Sequence, residues 1–167
     1  MPTPAPTERL VFRKWRRDDL ALALAVWGDE RMSALVGGPF TDTQVRERLD
    51  AEIETEKEYG YQYWPMFATG RFVGCCGLRP RDPPNRIMEF GFYVVVTAWG
   101  QGYATESGFA VISHAFDVLG AAALFAGHHP ENVASKRTLE KLGFTYTHHE
   151  LYPPTGLMHS CYELKRS

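Results

Sequence analysis

Apolar and polar positions alternate with two periods along this chain. In RLVFRKW (residues 9–15), Val11, Phe12 and Trp15 are interleaved with basic residues, which reads as a half-buried first strand with Arg13, Lys14, Arg16 and Arg17 on its wet side. Asp18 and Asp19 then open a short helix over 21–27, and Gly37, Gly38 and Pro39 break the chain. Val45, Leu49 and Ile53 recur at i, i+4 and i+8, and Thr41 and Gln44 have capping-box spacing, so 42–59 is predicted to be an amphipathic helix. Residues 61–69 and 71–78 read as two strands joined tightly at Thr69-Gly70, followed by a Pro-rich loop over 80–85 and a further strand over 87–96.

The second half returns to the helical period. Thr105, Phe109, Ile112, Phe116 and Leu119 recur at steps of 4, 3, 4 and 3 and define one helix face, which Gly120 ends. Residues 124–129 form a short strand. Asn132 is a favoured N-cap, and Val133, Leu139 and Leu142 can share the inner face of the helix that follows. Two closing strands, 145–151 and 158–164, flank Pro153, Pro154 and Gly156. The order β-α-α-β-β-β-α-β-α-β-β mixes hairpins with crossover helices, which predicts an α/β sandwich with a mixed sheet.

The chain has 167 residues, 44% apolar and 23% charged, as expected of one globular domain. A net charge of −2 offers no argument for a nucleic-acid or anionic-membrane partner. Cys75, Cys76 and Cys161 are odd in number, and two are adjacent, so free buried thiols in a reducing compartment are expected. The start, MPTPAPTE, lacks the apolar core of a signal peptide, and no apolar run is long enough to span a bilayer. These features together predict a cytoplasmic protein with a disordered tail over 1–8 and one domain over 9–167.

The chemistry concentrates in WGQGYATES, 99–107, where two glycines lie between an apolar strand and a helix. Gly100 and Gly102 can take positive φ, which lets successive N–H groups converge on an anion at the positive end of the helix dipole. No Lys followed by Ser or Thr comes after the last glycine, which excludes a nucleotide-triphosphate loop. Thr105 stands where a dinucleotide fingerprint needs Gly or Ala, and His128-His129 where it needs an acid, so that reading is a minor alternative.

With NVASKRTLEKLGF (132–144) and TERLVFRKW near the start, this turn resembles the GNAT superfamily of acyl-CoA-dependent N-acetyltransferases, most nearly the branch of the ribosomal-protein N-terminal acetyltransferases. The resemblance implies a single-domain α/β GNAT-like fold, with a mixed, mostly antiparallel central sheet flanked by helices. It implies acetyl-CoA as co-substrate, without a metal, and an amine acceptor: a protein N-terminus or a small molecule. Gln101, Gly102, Tyr103, Ala104 and Thr105 would wrap the pyrophosphate, Val94, Val95 and Val96 would pair with the pantetheine arm, and Asn132 and Ser135 would contact the cofactor near its thiol. The chain departs from the family pattern at Trp99, where Gln or Arg is usual, and at Leu139, where many relatives carry a tyrosine acid. The resemblance leaves monomer and homodimer both open.

Amine acetylation needs a deprotonated amine and a tolerable leaving group. A thiol is acidic enough to leave with little help, and Ser135 is the candidate acid. Glu89, alone in an apolar strand, is the candidate base, with Gly91 leaving room for water or substrate; the alternative is an ion pair with Arg79, Arg81 or Arg86. A backbone N–H near Val94, Val95 and Val96 would hold the oxyanion. His128, His129, His148 and His149 lack convincing metal spacing; one of them, with Tyr146, Tyr152 or Trp64, is expected to line an acceptor pocket built from 32–40 and 149–159. A non-catalytic acyl-CoA-binding or regulatory domain is the alternative function.

Overall fold

The computed structural model describes residues 2–167. Seven strands form one sheet in the order β1-β2-β3-β4-β5-β7-β6. They are β1 (Val11–Phe12), β2 (Tyr63–Ala68), β3 (Arg71–Asp82), β4 (Ile87–Val94), β5 (Ala123–His128), β6 (Thr145–Tyr152) and β7 (Leu157–Lys165). Among the described residues β4–β5 is the one parallel pair. The helices are α1 (Leu20–Trp27), α2 (Glu30–Ser33), α3 (Asp42–Tyr59), α4 (Tyr103–Asp117) and α5 (Val133–Lys141). The chain is thus a single-domain α/β fold with a mixed, mostly antiparallel sheet.

Local chemistry explains most boundaries. Thr41 and Gln44 close the expected capping box on α3. Thr69 and Gly70 both take positive φ, 51° and 76°, as a two-residue hairpin turn with the right twist requires. The first strand is much shorter than 9–15. It pairs Val11 with Phe67 and Phe12 with Met66, and Arg13 N–H still donates to the Pro65 carbonyl. Pro65 has no N–H to return, so the ladder stops there. Arg13 then turns to Asp19, bound through both carboxylate oxygens, and Lys14 pairs with Glu56. In the other direction β3 outruns its expected end, continuing through Pro80 to Asp82. The short helix α2 carries no periodic signal of its own; Asp29 caps it by accepting the Arg31 N–H.

Helices α1 and α3 cover the sheet face that carries Tyr93, with Trp27 edge-on to that ring. Helices α4 and α5 cover the face that carries Phe90 and Phe92. The buried residues of α4 are Tyr103, Ser107, Gly108, Val111, His114, Ala115 and Phe116, and Phe109 is half exposed. Of the expected face, Phe116 is buried and Ile112 and Leu119 pack against the core, whereas Phe109 is turned away from it. Small residues cause this: a side chain at Gly108 would collide with Leu142, so close helix contact selects Gly and Ser over bulk. In α5, Leu139 and Leu142 are buried as expected, whereas Val133 is exposed.

The three cysteines are free and buried. Burial pushes the Cys76 thiol up to about 12 and raises Cys75 as well, so neither is a nucleophile. No helix among the described residues is long and apolar enough to cross a membrane. The tail boundary at residue 8 does not isolate what precedes it: Thr7 Oγ1 donates to Glu106 in the first turn of α4 (2.8 Å), and Pro4 is buried.

Candidate active site

Strands β4 and β5 run side by side only from Ile87 opposite Ala123 to Glu89 opposite Phe125. Beyond that rung β4 continues against β3 and β5 against β7, so the two strands part. A groove of about 930 Å³ fills the opening between Phe90–Val94 and residues 126–129. Glu89, Val94, the turn from Gln101 through Gly102, Tyr103 and Ala104 to Thr105, Asn132 and Ser135 all line it. Residues far apart in the sequence thus meet on one surface because a single parallel pairing fails after three rungs.

At one end of the groove lies the glycine turn. Gly100 and Gly102 have φ of +77° and +80°. Gly102 is the N-cap of α4, without a side-chain cap, and the chain continues through Tyr103, Ala104 and Thr105 in the first turn. The N–H groups of such a first turn have no partners within the helix and carry the positive end of its dipole. A Cβ built on Gly100 meets nothing within 4 Å, and one on Gly102 meets only Arg9 Nη2 at 3.6 Å. The glycines are thus required by backbone conformation and by the open space above the turn, not by crowding within the chain.

The β4 edge explains Trp99. The Val95 N–H donates to Val73, so alternate residues face β3 while Phe92 and Val94 turn their amide groups to the open side. The Trp99 indole N–H takes the Val94 carbonyl at 2.7 Å. The Phe92 groups and the Val94 N–H stay on the groove. Strand β4 ends at Val94; Val95 is buried, and Val96 begins a 3₁₀ turn. Neither Val95 nor Val96 lines the groove, and the Val95 N–H is already used, so the expected strand to residue 96 and its share in pantetheine pairing or in an oxyanion site reduce to Val94. Trp99's role was invisible in the sequence, where it registered only as a missing charge.

Elsewhere on the groove, Asn132 caps α5 by accepting the Ser135 N–H at 3.0 Å, which leaves the Asn132 amide N–H₂ and the Ser135 hydroxyl for a ligand. Leu139, in the position of the absent tyrosine, is buried and borders the groove.

Glu89 is paired with Arg79, its cross-strand neighbour, which is the ion-pair alternative weighed from the sequence. The Arg79 guanidinium stays charged beside the Glu89 carboxylate. The space beside Gly91 is not open. A Cβ there would overlap the Tyr63 hydroxyl, so Gly91 admits that ring rather than a water. Burial raises the Tyr63 hydroxyl well above its ordinary pKa, and it stays protonated.

Of the aromatic candidates, Tyr152 lines the groove. Trp64 is buried edge-on against His114, and Tyr146 is exposed and bonded to His149. His128, His129 and His159 also face the groove. Donor atoms of His148, Glu150 and Cys161 lie within 4.8 Å of one another. Glu150 Oε1 is already shared by Arg81 (2.7 Å) and His148 (3.0 Å), and the hydrogen bond from His148, with that from Arg81, lowers its pKa. A guanidinium on the same oxygen opposes a metal cation there.

The fold is thus an α/β sheet whose parallel β4/β5 pair parts beside a glycine turn that opens a helix. Residues 9–145 match the acetyltransferase (GNAT) domain family, and the chain belongs to it. It is 31% identical to the uncharacterized protein YkkB of Bacillus subtilis (strain 168), over 87% of each chain. It is 34% identical to the FsC-acetyl coenzyme A-N(2)-transacetylase of Aspergillus fumigatus, over 59% of this chain and 46% of that one. An acetyltransferase from Agrobacterium tumefaciens superposes with a TM-score of 0.85 at 22% identity, covering 99% and 96% of the two chains. RimL, the ribosomal L7/L12 alpha-N-protein acetyltransferase solved with coenzyme A, superposes with a TM-score of 0.82 at 16% identity, covering 96% of each. These two likenesses are of fold.

Proposed function

We propose that the chain transfers an acetyl group from acetyl-CoA to a primary amine, by direct attack in a ternary complex. The observation that carries this reading is the groove itself: an anion-ready helix start and an unpaired strand edge on one surface, with a carboxylate at the far end of that edge. The donor supplies a thioester whose acetyl carbonyl is open to an amine.

In this reading the N–H groups of Gln101, Gly102, Tyr103, Ala104 and Thr105 bind the pyrophosphate. The Phe92 amide groups and the Val94 N–H pair with the pantetheine arm, the Val94 N–H being the backbone donor nearest an oxyanion. Asn132 and Ser135 hold the thiol end, and the Ser135 hydroxyl relays to the departing sulfur a proton that it takes back from solvent, while the proton Glu89 accepts is released to solvent. Glu89, aimed by Arg79, accepts the amine proton directly or through water. Tyr152 and residues 32–40 flank the amine. No step needs a metal.

Leu139 favours one other reading, a domain that binds acyl-CoA without turning it over, because the usual tyrosine acid is missing. Release of free CoA from acetyl-CoA with a panel of primary amines, run beside CoA calorimetry, separates the two. Transfer requires amine-dependent CoA release; CoA binding with no release by any amine overturns it in favour of the binding domain. Tighter binding of NAD than of CoA would sink both.

A further inference from the structure

A second cavity, of about 250 Å³, adjoins the groove, with Tyr93 and Tyr152 in the wall of each. Trp27, Phe40, Gln44 and Arg48 are among its other lining residues, and no acidic side chain lines it among the described residues. Arg48 is therefore the one charge facing a chamber lined otherwise by aromatic and apolar side chains and the neutral amide of Gln44.

The guanidinium is held flat. It lies over the Trp27 ring at 4.7 Å, with the Tyr63 ring at 5.2 Å and the Tyr93 ring at 6.0 Å from the guanidinium carbon. Its counter-charge, Glu52, sits behind it, buried, with 3.5 Å between Nη2 and Oε1. That is a charge contact without a hydrogen bond, and buried Nη2 has no acceptor among the described residues. The Glu52 oxygens face the Tyr63 N–H at 3.3 and 3.4 Å. With 24% of its side-chain surface open, Arg48 is within reach of a ligand.

A planar fork, pre-set by stacking and short of acceptors, matches a carboxylate. A second ammonium would meet a like charge with no acid to offset it. Of the groove's other cations, Arg79 is paired with Glu89, Arg81 with Glu150 and Arg31 with Asp29, while Lys141, unpaired among the described residues, does not line the chamber. We infer that the acceptor is an amine that also carries a carboxylate, seated on Arg48 in the aromatic chamber while its amine points past Tyr93 and Tyr152 into the groove. This rests on the transferase reading for the fate of the amine, but not for the binding of the carboxylate.

The test uses the full chain saturated with CoA and two matched ligand sets: phenylalanine with phenylalaninamide, and β-alanine with β-alaninamide and 1,3-diaminopropane. Calorimetry reads binding, and CoA release from acetyl-CoA reads turnover. The carboxylates bind about ten-fold or more tighter than their amides, as one charge-assisted contact implies, and the diamine binds weakest. Arg48→Gln abolishes that preference, whereas Arg48→Lys keeps part of it, retaining the charge without the fork. If Arg48→Gln unfolds by stranding Glu52, the double variant Arg48→Gln/Glu52→Gln removes both buried charges and carries the same expectation. Equal or tighter binding of the amides or the diamine, or no saturable binding of either carboxylate, overturns the inference. Failure of the transferase reading looks different: carboxylate preference persists in calorimetry while no amine releases CoA.

Discussion

Glu89 and Arg79 face each other across one β3–β4 rung, carboxylate against guanidinium, on the sheet face that Tyr63 covers. The pair fixes where the carboxylate points, at the mouth of the β4/β5 opening.

Substituting Glu89→Gln keeps the shape and removes the charge. If Glu89 accepts the amine proton, turnover falls about 100-fold or more and the acidic limb of the pH–rate profile flattens, while CoA affinity is nearly unchanged. Turnover across pH, CoA calorimetry and Tm measured together decide it. Full turnover with an unaltered limb would make Glu89 a structural partner of Arg79 only.

Gly102 tests the phosphate turn. With φ at +80° and only Arg9 Nη2 near the would-be Cβ, Gly102→Val meets strain in the left-handed region, not a clash within the chain. The added side chain projects into the space above the first turn of α4. CoA affinity should drop about ten-fold or more, with the fold retained. A folded variant that binds CoA like the parent removes the turn from the phosphate site.

How much of this was legible beforehand depends on the range of the cause. The α3 capping box, the Thr69-Gly70 turn and the Asn132 cap are decided within three or four residues, and the sequence predicts all three. The end of β1 depends on Pro65, more than fifty residues on, and the buried face of α4 depends on Leu142 reaching Gly108. A hydrophobicity pattern ranks Ser107 and Gly108 low, so it selects Phe109 for the core. In the site, resemblance brings the turn, Asn132 and Ser135 together. It does not supply Trp99 on the Val94 carbonyl, Tyr63 in the space beside Gly91, or Arg48 in the second chamber, because each is a contact between elements.

Trp99→Phe isolates the indole N–H. The bond it makes to Val94 is partly solvent-exposed, so its net contribution is about 0.5–1.5 kcal/mol at most, and Tm should fall by no more than about 6 °C. The larger effect should be on the ligand: with the Val94 carbonyl released, the β4 edge is less fixed, and CoA binding weakens by under about ten-fold. Calorimetry on Trp99→Phe with unchanged CoA affinity and unchanged Tm would show that this contact orders nothing.

The last prediction concerns stability against pH. His114 is buried in α4 edge-on to the Trp64 ring, with ring centroids 5.2 Å apart, and its Nε2 has no partner among the described residues. Burial holds its pKa below the ordinary 6.5. His159 is shifted the same way, first by burial and then by His129 and His128. In both cases the unfolded chain takes up a proton at about 6.5 while the folded chain does not, so the unfolded state binds more protons as pH falls. The stability these two neutral rings provide is therefore fully present above about pH 7 and declines as pH drops through 6.5. Tm measured from pH 8 to pH 5.5 should be level at first and then fall, and His114→Phe should shrink the fall without abolishing it, since His159 remains. A parent whose Tm rises on acidification through this window, or a His114→Phe variant with an unchanged slope, would mean that His114 is protonated in the folded protein.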